Sequence, residues 1–243
     1  MRTRWWLLLI AFCSAASAAV TFALGFGYVI VGFYDEPRAD RSVEEAEQRR
    51  VAAHEAGHAI VTAWLLGPAE VERISVFATL PPENHYGVCH TADHNRLETA
   101  DDILRSAAVS MAGRAADAIV NNGPTTGAGA DLGHVNDVVW NMHLVSGLGG
   151  SLLVRSRGEA PASMVMQVEQ DIDSANHCAE AIVRANRDIV VLLADRIMRV
   201  NVSQGARVLS GDGFRAFLVE HPLSSPPETV LPTLMIGCVR HVP

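Results

Sequence analysis

The sequence predicts a mainly α-helical domain with a small β element, placed behind one N-terminal transmembrane helix. Four proline-free, helix-forming stretches cover most of the chain between residues 43 and 200, and two short runs typical of strands lie between the first and the second of them. An uncharged run covers residues 5–34. A chain of 243 residues has room for one catalytic domain of about 180 residues, but not for a second domain of that size.

The N-terminal segment is predicted to be a single-pass membrane anchor. Its uncharged run has thirty residues, and about twenty are enough to cross a bilayer. A cleaved signal peptide is the alternative, since Arg2 and Arg4 precede a leucine-rich core and residues 16–18 offer an A-x-A cleavage site. Arginines flank the run on both sides, with more of them after it, which favours a cytoplasmic catalytic domain but leaves the orientation open. Residues 35–42 form a polar linker.

The first predicted helix, residues 43–66, carries the sequence H-E-x-x-H. His54 and His58 are four residues apart, so on a helix both imidazoles lie on one face and can reach a single Zn²⁺. Glu55 then lies beside the open position of the metal, where it can act as a base but not as a ligand. The alternative is a buried helix whose two histidines are satisfied by core hydrogen bonds. The motif predicts a zinc peptidase.

A catalytic zinc needs a third protein ligand, and this helix cannot supply it. In H-E-x-x-H-x-x-G-x-x-H proteins the third ligand is a histidine, but Val61 and Trp64 occupy the glycine and the last histidine positions. A glycine-rich loop, residues 123–132, offers Asp131 at the start of a new helix. Asp131 fits a helix N-cap as well as a ligand, and the two roles can coexist. His134 is the reserve ligand. Four further histidines are interpreted as surface or core residues: His85, His90, His94 and His143.

Capping and turn residues set the boundaries of the predicted elements. Ser42 and Glu45 have the spacing of a capping box and start the first helix, which Gly67 and Pro68 end. The strand at residues 71–77 is predicted to offer an exposed edge that pairs with an extended substrate. The remaining predicted elements are a strand at residues 86–89, helices at 98–120, 131–145 and 164–200, a short strand at 152–154, a last short helix after residue 211, and an extended, proline-containing tail at 220–243.

Three motifs occur in the order, and at about the spacing, of one known family. Residues 54–59 are H-E-A-G-H-A, residues 112–117 are A-G-R-A-A-D, and residues 126–131 are T-G-A-G-A-D. Together they resemble the FtsH-type membrane-anchored metalloproteases, whose peptidase domain has a HEAGHA helix, a G-G-R-A-A-E-like helix and a T-G-A-x-x-D loop. The resemblance extends over residues 43–219 and implies a zincin-like FtsH-type peptidase domain in which Asp131 is the third zinc ligand.

Composition argues against two kinds of partner. The net charge of −8 disfavours nucleic acid. The sequence contains no lysine, since all 19 basic residues are arginine, so the ATPase phosphate loop ending in G-K-S or G-K-T cannot occur in it. The AAA+ motor that usual members of the resembled family carry ahead of the peptidase therefore has no counterpart in this sequence, and no ATP binding is expected.

The resemblance and the motif together predict a membrane-anchored zinc metalloendopeptidase that hydrolyses unfolded or membrane-proximal polypeptides without its own ATPase. The alternative is a non-catalytic partner that keeps the peptidase fold and binds or modulates an ATP-dependent membrane protease. Retention of Glu55 and of all three ligand positions favours the enzyme. The expected partners are a polypeptide and a membrane, and the sequence leaves open both a homo-oligomer and a separately encoded ATPase.

Overall fold

A computed structural model describes residues 42–81, 85–92 and 97–226 of the chain. This part contains six α-helices and one three-stranded sheet, which confirms the prediction of a mainly α-helical domain with a small β element. The elements are α1 Glu45–Leu65, β1 Val71–Phe77, β2 Gly87–Thr91, α2 Ala100–Val120, α3 Gly129–Leu144, α4 Ala162–Ala185, α5 Arg187–Met198, β3 Ala206–Ser210 and α6 Gly211–Glu220.

The predicted membrane anchor at residues 5–34 and most of the predicted tail lie outside the described residues. Within the described ranges, no helix has both the length and the apolar character that crossing a bilayer requires. The predicted anchor, its orientation and the linker therefore stay predictions.

Helix α1 is the central helix of the core. Every residue from position 52 to 65 is buried, because α2, α5 and the sheet pack around it. The predicted capping box at its start is wrong: the helix begins after Glu44 without a side-chain cap, and Ser42 forms a β-bridge with Thr79. That bridge holds the entering backbone extended, so the helix begins later than the sequence suggested. At the other end Gly67 adopts a φ of 110°, which favours glycine and terminates the helix as predicted.

Helices α1 and α2 approach each other closely through small residues. A Cβ atom at Gly57 would lie 2.6 Å from the carbonyl oxygen of Ala112 and 2.6 Å from the Cβ of Ala116, so only glycine fits at this crossing. Alanines supply most of the buried face of α2. The short distance between the two helix axes brings the histidines of α1 against the backbone of α2.

The sheet has the order β2-β1-β3, with both pairs antiparallel. β1 is thus the central strand, and the prediction that it offers an exposed edge is wrong. β3, which was not predicted, covers that edge with its Ala206 to Ser210 opposite Phe77 to Arg73. Its five residues carry little local signal, and its pairing partner lies far away in the sequence. Among the described strands, β2 forms the edge of the sheet opposite β3.

The C-terminal helical region differs from prediction at two places. The helix predicted over residues 164–200 is two helices, α4 and α5, which meet at the buried Asn186. The amide of Asn186 donates to the carbonyl of Ile182 and pairs with both backbone groups of Ser224, and this holds residues after α6 against the helix junction. The strand predicted at residues 152–154 is also wrong, because the segment is irregular and Leu152 is 91% exposed.

Candidate metal centre

The fold brings together the three residues predicted as zinc ligands. His54 and His58 project from α1, and Asp131 projects from the first turn of α3. The Nε2 atoms of the two histidines lie 3.2 Å apart, and the Asp131 Oδ2 lies 3.2 Å from His54 Nε2 and 3.4 Å from His58 Nε2. A tetrahedral zinc with ligands at about 2.0–2.1 Å spaces its ligand atoms about 3.3 Å apart. The three atoms therefore fit the first coordination sphere of Zn²⁺.

The second nitrogen of each imidazole determines which tautomer is present. His58 Nδ1 lies 2.8 Å from the carbonyl oxygen of Val109, which can only accept, so this nitrogen is the donor. His54 Nδ1 lies 3.0 Å from the carboxylate of Asp117, and the same argument applies. In the neutral rings both Nε2 atoms then carry lone pairs that face the Asp131 carboxylate. Three acceptors converge on one point, an arrangement that a cation stabilises.

The hydrogen bonds within the cluster also shift the pKa values of its side chains. Burial lowers the pKa of His54, but its hydrogen bonds with Asp117 and Asp131 outweigh burial and raise the pKa to about 10. Burial also raises the pKa of Asp131, but its hydrogen bonds with both histidines hold that pKa well below its usual range. A proton and a metal ion therefore compete for the position between these three side chains.

Asp117 is a functional residue to which the sequence alone assigned no role. It lies on α2 with 2% exposure, and one carboxylate oxygen accepts from His54 Nδ1 and from the Thr125 hydroxyl at 3.3 Å. The other oxygen accepts from the Asn121 amide at 2.8 Å. Outer carboxylates of this kind orient a ligating imidazole and increase its basicity. The sequence signal was its position as the acidic residue that ends the A-G-R-A-A-D motif.

Gly113 is a second residue whose role becomes evident only in three dimensions. A Cβ atom at this position would overlap with the Nε2 atoms of both His54 and His58. The backbone of α2 therefore passes directly beside the cluster, and glycine is the one residue that leaves room for the imidazoles.

Glu55 lies against β2 and is 6% exposed. Burial raises the pKa of its carboxyl, while the charges of the two histidines and the backbone N–H of Cys89 oppose that rise. A Cβ atom at Gly87 would lie 2.7 Å from the Glu55 Oε1, so the strand touches the carboxylate at its one glycine. A buried carboxyl beside the metal position is placed to accept and return a proton.

A cavity of about 730 Å³ opens over the cluster and is lined by residues of α1, α2, α3, β2 and the glycine-rich loop. Among the described residues, the ligand group contains His54, His58 and Asp131, and the reserve ligand His134 lies on the cavity wall instead. The other histidines have separate environments: His85 packs on Phe77 and lines the cavity, His90 contacts Arg73, His143 pairs with Asp171, and His94 lies outside the described residues.

Two imidazoles and a carboxylate at tetrahedral spacing, beside a buried glutamate, define the class of H-E-x-x-H metal-dependent hydrolases. Residues 41–208 match the model of peptidase family M41, and the chain belongs to that family. The resemblance to an FtsH-type peptidase domain is thereby confirmed, and Zn²⁺ is the cofactor that the family implies and the ligand group suits.

Relatives with the same domain are considerably longer. The chain is 26% identical over 189 residues to the ATP-dependent zinc metalloprotease FtsH 4 of Synechocystis sp., an alignment covering 69% of this chain and 30% of the relative. It is 34% identical over 142 residues to FtsH 1 of Sorangium cellulosum, covering 57% and 22% of the two chains. It is 28% identical over 193 residues to the chloroplastic FTSH 6 of Oryza sativa subsp. japonica, covering 70% and 27%. The chain thus spans less than a third of the length of these relatives.

Proposed function

We propose that this protein is a zinc metalloendopeptidase that hydrolyses peptide bonds of unfolded or membrane-proximal polypeptides. One observation carries the proposal: His54, His58 and Asp131 converge at tetrahedral spacing directly beside the buried carboxyl of Glu55. In this proposal the three converging residues hold the metal, and Glu55 performs the proton transfers.

In this proposal, different residues of the chain have separate roles in amide hydrolysis. When bound, Zn²⁺ supplies Lewis acidity that polarises a carbonyl and lowers the pKa of water. Glu55 takes one proton from the attacking water as the new carbon–oxygen bond forms, and it passes that proton to the departing amine nitrogen as the carbon–nitrogen bond breaks. Asp117 keeps the His54 ring in the orientation that ligation needs.

The edge of β2 supports a polypeptide substrate. The carbonyl of Tyr86, just before the strand, accepts from the N–H of Phe77 in β1, and the N–H of Ala92, just after the strand, donates to the carbonyl of Glu70. The N–H of Cys89 points the other way, to Glu55. Backbone groups of successive strand residues alternate in direction, so Gly87, Cys89 and Thr91 turn theirs toward the cavity. Within the described residues β2 pairs with β1 alone. An extended peptide can add to this edge with little side-chain selectivity.

Membrane attachment and ATP independence belong to the same proposal. The uncharged run at residues 5–34 supports a single-pass anchor, with the catalytic domain in the cytoplasm. The lysine-free sequence supports hydrolysis without an ATPase of its own, so a substrate arrives flexible or is delivered by a separately encoded motor. Assembly into a homo-oligomer is compatible with either route.

Zinc analysis combined with proteolysis tests the proposal. The full chain, purified in detergent, is expected to bind one zinc and to cleave unfolded casein without ATP. Glu55→Gln should retain the zinc but lose at least about 100-fold in cleavage rate, since a general base contributes on that scale. Equal cleavage by both proteins would identify a contaminant as the catalyst. Zinc binding and casein binding without cleavage by the parent would instead favour the non-catalytic partner.

A further inference from the structure

The side chains that form the metal cluster present hydrogen-bond acceptors to its centre. Glu55, Asp117 and Asp131 are carboxylates, and both histidine N–H groups are already donated, to Asp117 and to the Val109 carbonyl. Amide hydrolysis places negative charge on the carbonyl oxygen as the carbon becomes tetrahedral, and this charge is stabilised by a donor aimed at it. A donor on the cavity wall adds to the stabilisation that the metal supplies.

His134 occupies a suitable position on α3. It follows Asp131 by three residues, so the two side chains lie on the same helix face. Side chains in an α-helix lean toward its N-terminus, which carries the His134 ring back toward Asp131 and the metal cluster. Both residues line the same cavity, and His134 is exposed there, without a side-chain hydrogen bond to any residue in the described ranges. Its ring is free to meet a substrate.

Other donors also line the cavity, among them the hydroxyls of Ser106, Ser110, Thr125 and Thr126, of which Thr125 already donates to Asp117. Tyr86 lines the cavity just before Gly87, which touches the Glu55 carboxylate. Arg50 precedes His54 on α1 by one turn, and its carbonyl accepts from Asn121. His134 is the imidazole donor on the Asp131 side of the cavity.

We propose that His134 is a further catalytic residue, which donates a hydrogen bond to the oxyanion that develops on the scissile carbonyl. The proposal rests on the proposed peptidase function and names a role within it. A neutral imidazole always keeps one N–H, so the role does not depend on a change of protonation. It also explains why His134 lines the cavity while standing outside the ligand group.

Three variants of the full chain test this role: His134→Ala, His134→Gln and, as a matched control, His177→Ala. His177 is an exposed histidine on α4 that bonds to its own helix backbone and lies away from the cavity. In His134→Ala we expect full zinc occupancy, a KM close to that of the parent and a kcat about 100-fold lower, as for loss of one oxyanion donor. The Gln variant should recover part of kcat, because its amide can donate, and the control should match the parent.

Binding of a phosphinic peptide provides a second measurement that does not require turnover. The tetrahedral phosphinate carries the charge of the oxyanion, so its affinity should fall in parallel with kcat, whereas affinity for a ground-state peptide of the same sequence stays constant. If the parent fails to cleave, the peptidase proposal fails, yet the phosphinate still tests the donor. Unchanged phosphinate affinity in His134→Ala overturns the proposal, as does loss of zinc, which would make His134 a ligand.

Discussion

The two ends of α3 each hold a buried histidine beside a carboxylate, yet they differ in what they can bind. At the N-terminal end, Asp131 meets His54 and His58, and three acceptor atoms converge. At the C-terminal end, His143 is 3% exposed and its Nε2 lies 2.7 Å from the Asp171 carboxylate on α4. No other described residue bonds to its Nδ1, against which the backbone of the following loop packs.

The comparison shows that burial and a histidine–aspartate pair do not make a metal site. A zinc ion needs three protein ligands, and each ligating imidazole needs an outer acceptor for its second nitrogen. The N-terminal cluster meets both conditions, since Asp117 and the Val109 carbonyl are the outer acceptors. The pair of His143 and Asp171 meets neither, and its effect is to attach the end of α3 to α4.

Removal of the third ligand should produce the largest difference between the two ends. Asp131→Ala is expected to lower zinc affinity by more than about 100-fold, because even loss of an outer partner costs about 10–100-fold. Competition with a chromophoric chelator measures it. Asp137→Ala, at an exposed carboxylate of the same helix paired with Arg157, should leave zinc affinity unchanged. Zinc retention in Asp131→Ala together with zinc loss in His134→Ala would reverse the ligand assignment.

A methyl group on α2 should disturb the N-terminal cluster almost as strongly. Gly113→Ala places a Cβ against both Nε2 atoms, and we expect cleavage to fall about 100-fold, the scale of a 1 Å misplacement in an active site. The matched control is Gly133→Ala on α3, where a Cβ would meet nothing within 4 Å. That variant should gain about 0.4–1 kcal/mol in free energy of unfolding. Normal cleavage by Gly113→Ala would contradict the close contact described here.

Substitution of Asp117 should mainly change zinc affinity, whereas substitution of Asp171 should mainly change the free energy of unfolding. Asp117→Ala is expected to weaken zinc binding by about 10–100-fold. Asp171→Ala should leave zinc affinity unchanged and reduce the free energy of unfolding by about 1–3 kcal/mol, because it leaves a buried imidazole without its partner. Chelator competition and urea unfolding measure the two quantities. A substantial loss of zinc in Asp171→Ala would show that the two ends of α3 are coupled.

Zinc binding should also depend on pH, and the change over a single pH unit is the smallest of these effects. The pKa of His54 is raised to about 10, so near neutral pH a proton occupies the position that zinc requires. Raising the pH removes this competitor, and affinity should increase about tenfold per unit between about pH 6 and 8, with about one proton released per zinc. Titration calorimetry in buffers of different ionisation enthalpy counts that proton. Heat that does not vary between buffers would contradict the prediction.

Local sequence signals predicted much of the fold and most of the site. The H-E-x-x-H spacing, the stop at Gly67 and the helix that starts near Asp131 depend on residues within a few turns of one another. The predicted edge of β1, the uninterrupted C-terminal helix and the strand at residues 152–154 were wrong. Each depends on a distant partner: β3 covers β1, Ser224 binds Asn186 at the helix junction, and no described strand pairs with residues 152–154.

The amino-acid order alone determined the chemistry of the site, because the period of a helix places His54, Glu55 and His58 together without help from the rest of the chain. Tertiary packing decided the contacts between residues of different helices. Asp117 and Asp131 reach His54 from 63 and 77 residues away, and Gly113 matters only because α2 packs against the imidazoles. Such contacts follow from the crossing of α1 and α2, which the periodicity of neither helix records.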